Sequence, residues 1–195
     1  MKEDQQERII IGIDPGTNLL GFGVLRAVGR TAEFVDMGVL DLRKEKDSYQ
    51  KLRQIYDTVS QVILTYHGTE MALEAPFYGK NAQSLIKLGR AQGAAMVAAL
   101  EKGLPVTEYA PTKVKMTIVG NGSASKEQVS SVLQKTLRFE MKVEHLDATD
   151  ALAIALSHFY TTTNPLAGST SSKGRSSRPS SSWETFLKEN PDRVK

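Results

Sequence analysis

Four acidic residues lie where apolar stretches of the chain end or begin: Asp14, Glu74, Asp147 and Asp150. The first follows the apolar run 9–13, the second follows the run 71–73, and the last two open the apolar stretch 151–159. Carboxylates beside buried strands repel one another unless a cation, a basic side chain or backbone N–H groups compensate them. A divalent metal ion would provide that compensation, so we predict a metal site.

The spacing of the last two carboxylates supports a shared site. Asp147 and Asp150 are three residues apart, which on a helix places their Cβ atoms about 5 to 6 Å from each other on one face. Asp147 alone is better explained as a helix-capping residue, because carboxylates stabilise helix N-termini. Asp150 precedes Ala151 and Leu152 on a mostly apolar helix, so its charge requires a buried partner.

The segment Asp14-Pro15-Gly16-Thr17 has three interpretations. It is compatible with a structural turn, with a metal ligand at a strand tip, and with the phosphate-binding loop of actin-like ATPases and sugar kinases. Those enzymes need two large lobes, whereas 195 residues provide one domain and a tail. The length therefore disfavours the kinase interpretation.

Three or four carboxylates would serve phosphodiester hydrolysis in a specific way. Two Mg²⁺ ions about 3.5 to 4 Å apart activate water on one side and stabilise the leaving oxygen on the other. In this hypothesis Asp14 bridges both ions, while Glu74 and the Asp147/Asp150 pair hold them from opposite sides. Mg²⁺ prefers hard oxygen ligands, and Mn²⁺ accepts similar ones.

The composition excludes several other chemistries. The chain has no cysteine, which rules out disulfides, thiolate catalysis and cysteine-bound zinc, and its three histidines are widely scattered. No apolar run approaches the roughly 18 residues of a membrane span. We therefore expect a soluble, cytoplasmic protein without a membrane partner.

Positive charge is concentrated in the middle of the chain. Residues 79–126 contain seven basic side chains and only two acidic ones. The seven are Lys80, Lys87, Arg90, Lys102, Lys113, Lys115 and Lys126. Such a cluster more often forms a solvated helix face, and a phosphate-binding surface is the functional alternative.

Hydrophobic periodicity predicts the elements that position these residues. Strands are expected at 8–14, 21–28, 31–40, 70–75 and 105–109, and helices at 48–66, 81–102, 111–118, 125–137 and 147–160. Short connections make the first three strands antiparallel, and Ser125 with Gln128 fits a capping box. This order predicts an α/β fold with a mixed five-stranded sheet flanked by helices, as in ribonuclease-H-like proteins.

The predicted organisation is a short polar segment at 1–7, a nuclease domain at 8–164 and a tail at 165–195. Eight serines among residues 169–182, interspersed with basic side chains, predict a flexible basic tail. Near its end, Trp183, Phe186 and Leu187 have helical spacing.

Six segments in order resemble the RuvC family of bacterial Holliday-junction resolvases, over roughly residues 8–160. They are Gly12–Thr17 with Gly21–Val24, Leu73-Glu74 with Phe77 and Lys80–Ala82, Leu88–Gly93, Tyr109–Pro111 with Val114-Lys115, Val119–Lys126, and Asp147–Ala155.

The resemblance implies a Mg²⁺-dependent homodimeric endonuclease of homologous recombination and DNA repair. Such an enzyme nicks two opposed strands of four-way junction DNA, leaves 5′-phosphate and 3′-hydroxyl ends, and cooperates with RuvA and RuvB. The resemblance makes the four carboxylates the catalytic, metal-binding residues. It also implies that Lys115 and Lys126 contact phosphates and that Phe77 stacks on bases near the junction centre.

Other DNA contacts are expected around these positions. Tyr78 would assist Phe77, and Lys80 and Arg90 of the basic stretch are further candidates. Lys126 opens a predicted helix, where free N–H groups reinforce anion binding.

Two opposed cuts require two active sites related by a twofold axis. The helix at 81–102 contains Gly89, Gly93, Ala94, Ala95, Ala98 and Ala99, small residues that allow close packing. Packing on the chain's own sheet is the alternative to a dimer contact. Two other functions are a ribonuclease-H-like nuclease acting on other branched DNA or hybrids, and a non-catalytic nucleic-acid-binding module. The presence of all four carboxylates argues against the module.

Overall fold

The structure is a computed structural model that describes residues 7–76, 82–140 and 146–163, with the backbone alone at position 146. Glu7 belongs to the first strand and not to the predicted N-terminal segment. The rest of that segment and the predicted tail lie outside the described residues. No helix in the described ranges is long and apolar enough to cross a membrane.

One mixed sheet is formed by the strands of the described ranges: β1 (Glu7–Asp14), β2 (Leu19–Val28), β3 (Thr31–Asp41), β4 (Glu70–Glu74) and β5 (Val106–Tyr109). Their order across the sheet is β3-β2-β1-β4-β5. β2 is antiparallel to both β1 and β3, whereas β1, β4 and β5 are parallel. The predicted mixed five-stranded sheet and α/β class are confirmed. β2 begins two residues earlier than predicted because Leu19 still pairs with Asp41.

The helices are α1 (Ser48–Tyr66), α2 (Ala82–Glu101), α3 (Pro111–Val119), α4 (Lys126–Leu137) and α5 (Leu146–Thr163). Local signals explain their starts. Asp47 caps α1 by accepting hydrogen bonds from two backbone N–H groups, and the predicted capping box of Ser125 and Gln128 is present at α4. α5 continues three residues beyond its predicted end, with Thr161 and Thr162 donating hydrogen bonds to carbonyls one turn back.

The helices cover the two faces of the sheet. One core packs α3, α4 and α5 against residues such as Ile10 and Ala72, and the other packs α1 and α2 against residues such as Ile11 and Met71. Because strand side chains alternate between faces, the even-numbered residues of β1 and β4 point towards α5.

Glycines allow α5 to lie unusually close to the sheet. A Cβ atom at Gly12 would lie 2.1 Å from the carbonyl oxygen of Ala151, and one at Gly21 would lie 2.3 Å from that of Asp147. At Gly23, which pairs with Gly12 across β1 and β2, it would lie 2.6 Å from the helix backbone. Any side chain at these positions would displace the helix, so the glycines set its depth over the strands.

The small residues of α2 divide between two environments. Ala95, Ala98 and Ala99 are fully buried in the core with α1, so for them packing within the domain is correct. Gly89 and Gly93 differ, since a Cβ atom added at either would meet nothing within 4 Å.

Candidate active site

The ends of two parallel strands bring two of the predicted carboxylates together. Asp14 is the last residue of β1 and Glu74 the last residue of β4, and these strands are hydrogen-bonded neighbours. Both side chains point towards α5, because they share the alternation of Ile10 and Ala72. The glycine groove holds the first turn of α5 directly above them, and this turn carries Asp147 and Asp150.

A cavity of about 210 Å³ contains the centre of this arrangement. Its charged lining is Asp14, Glu74, Asp150, Lys115 and Lys126. Apolar walls from the last three helices complete it, with Pro111, Val114, Val129 and Ala153. Three carboxylates and two lysines thus share a small, partly desolvated space at the carboxyl edge of the parallel strands.

Lys126 is the cation closest to the α5 carboxylates. Its ammonium nitrogen lies 2.5 Å from Asp150 Oδ2 and 3.1 Å from Asp147 Oδ1. Burial lowers the pKa of Lys126, but the hydrogen bonds and charges of the two aspartates outweigh that effect and raise its pKa overall. Lys126 was predicted to contact a DNA phosphate; in this structure it neutralises the aspartates instead.

The carboxylates of the cavity are harder to ionise than free ones. Burial, followed by the charge of Asp150, raises the pKa of Asp14 to about 6. Burial, followed by the charge of Asp14, raises the pKa of Glu74 to about 7. Burial also raises the pKa of Asp150, although the ion pair with Lys126 acts in the opposite direction. The site therefore contains more negative charge than its own lysines can compensate.

The residues fit a divalent cation in their chemistry. Within the described ranges, no group of three acidic or histidine side chains has the close spacing of a finished metal site. The donors are nevertheless hard carboxylate oxygens, and their raised pKa values reflect burial and mutual repulsion, which a bound cation relieves. Asp14, Glu74 and Asp150 would hold the ion, with Asp147 next to them on the same helix face.

The other predicted contacts have different outcomes. Lys115 on α3 lines the cavity, as a phosphate-contacting residue would. Arg90 on α2 lies outside it and lines a second cavity on the other face of the sheet. Phe77, Tyr78 and Lys80 lie outside the described residues, so the predicted base stacking stays a prediction.

Sequence reasoning missed one supporting residue. Gln92 of α2 is buried, and its side-chain amide donates hydrogen bonds to the carbonyl oxygen of Glu74 (3.3 Å) and to the carboxylate of Glu108. It ties the end of β4 to the helix behind it. A single amide among the alanines and glycines of α2 was the available signal, because a buried polar side chain requires a partner.

Comparisons with known proteins agree with this site. The family model described as crossover junction endodeoxyribonuclease RuvC matches residues 10–158. The crossover junction endodeoxyribonuclease RuvC of Bacteroides fragilis is 50% identical, over 100% of both chains. That of Porphyromonas gingivalis is 48% identical, over 97% of this chain and 98% of the relative.

A solved structure supports the same assignment. T. thermophilus RuvC in complex with Holliday junction substrate superimposes with a TM-score of 0.72 and 33% identity, covering 79% of this chain and 94% of that chain. The family model spans β1 to α5 and therefore all four carboxylates. The chain belongs to the RuvC family of crossover junction endodeoxyribonucleases.

Proposed function

We propose that this protein resolves four-way DNA junctions by hydrolysing one phosphodiester bond in each of two opposed strands, using two divalent metal ions per site. Membership of the family makes it a phosphodiester hydrolase of DNA recombination and repair that uses a divalent metal. The observation that supports the finer mechanism is the cavity where Asp14, Glu74 and Asp150 meet Lys115 and Lys126. It offers oxygen ligands for cations and ammonium groups for a phosphate in one place.

Each side chain has a distinct role in this proposal. Asp14, Glu74 and Asp150, with Asp147, hold Mg²⁺ or Mn²⁺, which supplies an activated water and stabilises the charge that develops on the phosphate. Lys115 lines the cavity without an ion-pair partner among the described residues, and it binds the phosphate that is to be cut. The apolar walls formed by Val114 and Val129 limit the access of other water molecules.

The test is to map the cuts on four-way junctions. A fixed junction, a mobile junction, linear duplex and RNA–DNA hybrid of matched sequence are incubated with the protein in Mg²⁺. We expect paired cuts at symmetrical positions on the junctions, with 5′-phosphate and ligatable 3′-hydroxyl ends. Faster cutting of the hybrid or the duplex would replace this proposal with the general ribonuclease-H-like nuclease. Binding without cutting in Mg²⁺ or Mn²⁺ would favour the non-catalytic module.

The same proposal includes a homodimer that packs through one face of α2. Ile86, Val97 and Leu100 leave 56%, 56% and 62% of their surface exposed and repeat at helical spacing. Gly89 and Gly93 lie between them on the same stripe and open onto free space. An apolar stripe with small residues at its centre allows two helices related by a twofold axis to approach closely.

Sedimentation of two matched variants tests the dimer. Val97→Glu would place a charge within the stripe and give a monomer that no longer makes its two cuts in concert. Leu64→Glu changes another exposed apolar residue, 55% exposed on α1, and would leave the dimer intact. A Val97→Glu variant that sediments like the wild type would rule out this face.

Cooperation with RuvA and RuvB and a location in the cytoplasm complete the proposal. Both rest on family membership. Purified RuvA and RuvB added to a mobile junction should change the rate or the positions of cutting, and unchanged cuts would remove them as partners.

A further inference from the structure

A second cavity, of about 250 Å³, lies between α1, α2 and the turn that follows β1. Four cationic side chains line it: Lys46, Lys51, Lys87 and Arg90. Among the described residues that line the cavity, none is acidic. The remaining lining is uncharged and includes Tyr49, Leu52 and Ile55.

The charge of this cavity is uncompensated within the described part of the chain. None of the four cations forms an ion pair there. The two acidic residues nearest in sequence have other partners: Asp47 caps α1, and Glu45 accepts hydrogen bonds from the backbone of Asp47 and from the side chain of Gln54. A ligand that binds here must therefore bring its own negative charge.

The topology places this cavity on the same edge of the sheet as the acidic one. β1 ends at Asp14, and Thr17, only three residues further, lines the cationic cavity. Three residues span at most about 11 Å between their Cα atoms. Lys51 strengthens this link, since its ammonium group donates a hydrogen bond of 2.9 Å to the carbonyl oxygen of Thr17. Phosphates recur every 3.4 Å of axial rise along one strand of duplex DNA. A strand held in the acidic cavity therefore has further phosphates within reach of the cationic one.

We infer that Lys46, Lys87 and Arg90 form a second phosphate site, which binds the DNA backbone a few nucleotides from the bond that is cut. Lys51 is a positioning residue that ties the floor of this site to the turn following Asp14. Tyr49, with 75% of its surface exposed beside the lysines, offers an aromatic face to the sugar or base of the same nucleotide. This inference rests on the proposed function, because it assumes that DNA occupies the acidic cavity.

Salt-dependent binding tests the site. Junction affinity of the full-length protein is measured in EDTA, where nothing is cut, from 50 to about 300 mM NaCl. Each lost phosphate contact lowers the slope of log K against log [NaCl] by about 0.9. We expect the double variant Lys46→Gln/Lys87→Gln to reduce the slope by about 2 and to weaken binding at least tenfold at low salt. Its single-turnover cutting rate at saturating protein should stay within about twofold of the wild type.

Two matched variants separate the local charge from other effects. Lys46→Arg/Lys87→Arg retains the charge and should restore the wild-type slope. Lys135→Gln removes one positive charge in the last turn of α4, about 13 Å along that helix from Lys126, and should leave the slope unchanged. Thermal unfolding of each variant shows whether the fold is retained.

The outcomes distinguish this inference from the proposed function. A wild type that neither binds nor cuts junctions contradicts the proposed function itself. If the wild type binds and cuts while Lys46→Gln/Lys87→Gln keeps the wild-type slope and affinity, only the second phosphate site is wrong. A variant with an unchanged slope but slower cutting at saturation also overturns it, because those lysines would then act on catalysis and not on binding.

Discussion

Glu70 and Glu74 are the first and last residues of β4, and both point towards α5, yet their environments are opposite. At the Glu70 end, every charge has a partner supplied by the fold. At the Glu74 end, carboxylates face carboxylates and the cations are too few. One short strand, about 13 Å long, thus joins a balanced site to an unbalanced one.

The Glu70 end is a buried polar network. His158 of α5 donates from Nε2 to Glu70 Oε2 (2.8 Å), and Nδ1 of the neutral ring accepts from the Tyr109 hydroxyl (2.8 Å). Arg8 lies 3.2 Å from the other carboxylate oxygen, an ion pair by distance and not a well-directed hydrogen bond. Although burial acts to raise the pKa of Glu70, His158 and Arg8 together lower it below its usual value.

At the other end the same helix and strands produce the opposite shift. The pKa values of Asp14 and Glu74 are raised to about 6 and about 7. The difference shows that the fold can satisfy buried carboxylates where stability requires it. At the Asp14 end it retains a net negative charge, which a cation from solution must compensate.

Replacing Asp14 should have the largest effect of any change to this comparison. Asp14→Asn removes an oxygen ligand, and losing about 4 kcal/mol of transition-state stabilisation corresponds to a roughly thousandfold slower cut. Junction binding in EDTA should remain within about threefold of the wild type. Single-turnover cutting in Mg²⁺ measures the rate, and Asp57→Asn on the exposed face of α1 is the control. Cutting at the wild-type rate would refute the role of Asp14.

The same substitution at the two ends of β4 should change stability in opposite directions. Glu74→Gln removes a charge that burial and Asp14 destabilise, and it should raise the free energy of unfolding by up to about 3 kcal/mol at pH 8 without metal. Glu70→Gln breaks a charge-assisted network and should lower it by about 2 kcal/mol. Urea unfolding measures both values. Changes of equal sign would mean that the two ends do not differ as described.

Magnesium and pH should act together at the unbalanced end. Because the folded-state pKa values are raised, the unfolded chain releases its protons first, and stability is lost as pH rises from about 4 to about 7. Mg²⁺ at a hundredfold excess over its Kd should restore about 3 kcal/mol at pH 8 and little at pH 5, where Asp14 and Glu74 are protonated. Unfolding with and without Mg²⁺ at both pH values tests this. Asp14→Asn should lose most of the metal effect, and equal stabilisation at pH 5 and pH 8 would contradict it.

The smallest expected effect sharpens the comparison at the balanced end. Tyr109→Phe removes one hydroxyl from His158 without changing any charge, and it should cost about 1 kcal/mol. Tyr160→Phe, at a partly exposed position of α5, should cost less than half as much. Thermal or urea unfolding measures both, and cutting by Tyr109→Phe in Mg²⁺ should stay near the wild-type rate. A neutral Tyr109→Phe variant would show that the hydroxyl contributes nothing to the network.

Local patterns were sufficient for much of this protein. The apolar run before Asp14, the alternation in β1 and β4, and the capping box at Ser125 are short-range signals that predict where elements begin and end. The carboxylates stood out because acidic residues are rare beside such runs. The order of elements then restricted the sheet to a few topologies, of which the predicted one is present.

Partners distant in sequence could not be read in the same way. Glu70 and Glu74 have the same residue type, the same strand and the same face, and only the packing of α5 gives His158 to one and Asp150 to the other. The pairing of Lys126 with Asp150 and the hydrogen bond from Gln92 to Glu74 also depend on this packing.

The sequence by itself determined the elements, the acidic residues at their ends and the family to which the chain belongs, because these depend on neighbours along the chain. Only the tertiary structure decided how closely α5 approaches Gly12 and Gly21, and therefore that Asp150 meets Asp14 over the sheet edge. It also separated the basic residues of the middle stretch between two cavities on opposite faces. The physical reason is that charge and burial act through space, where contacts between distant residues set which carboxylate is compensated.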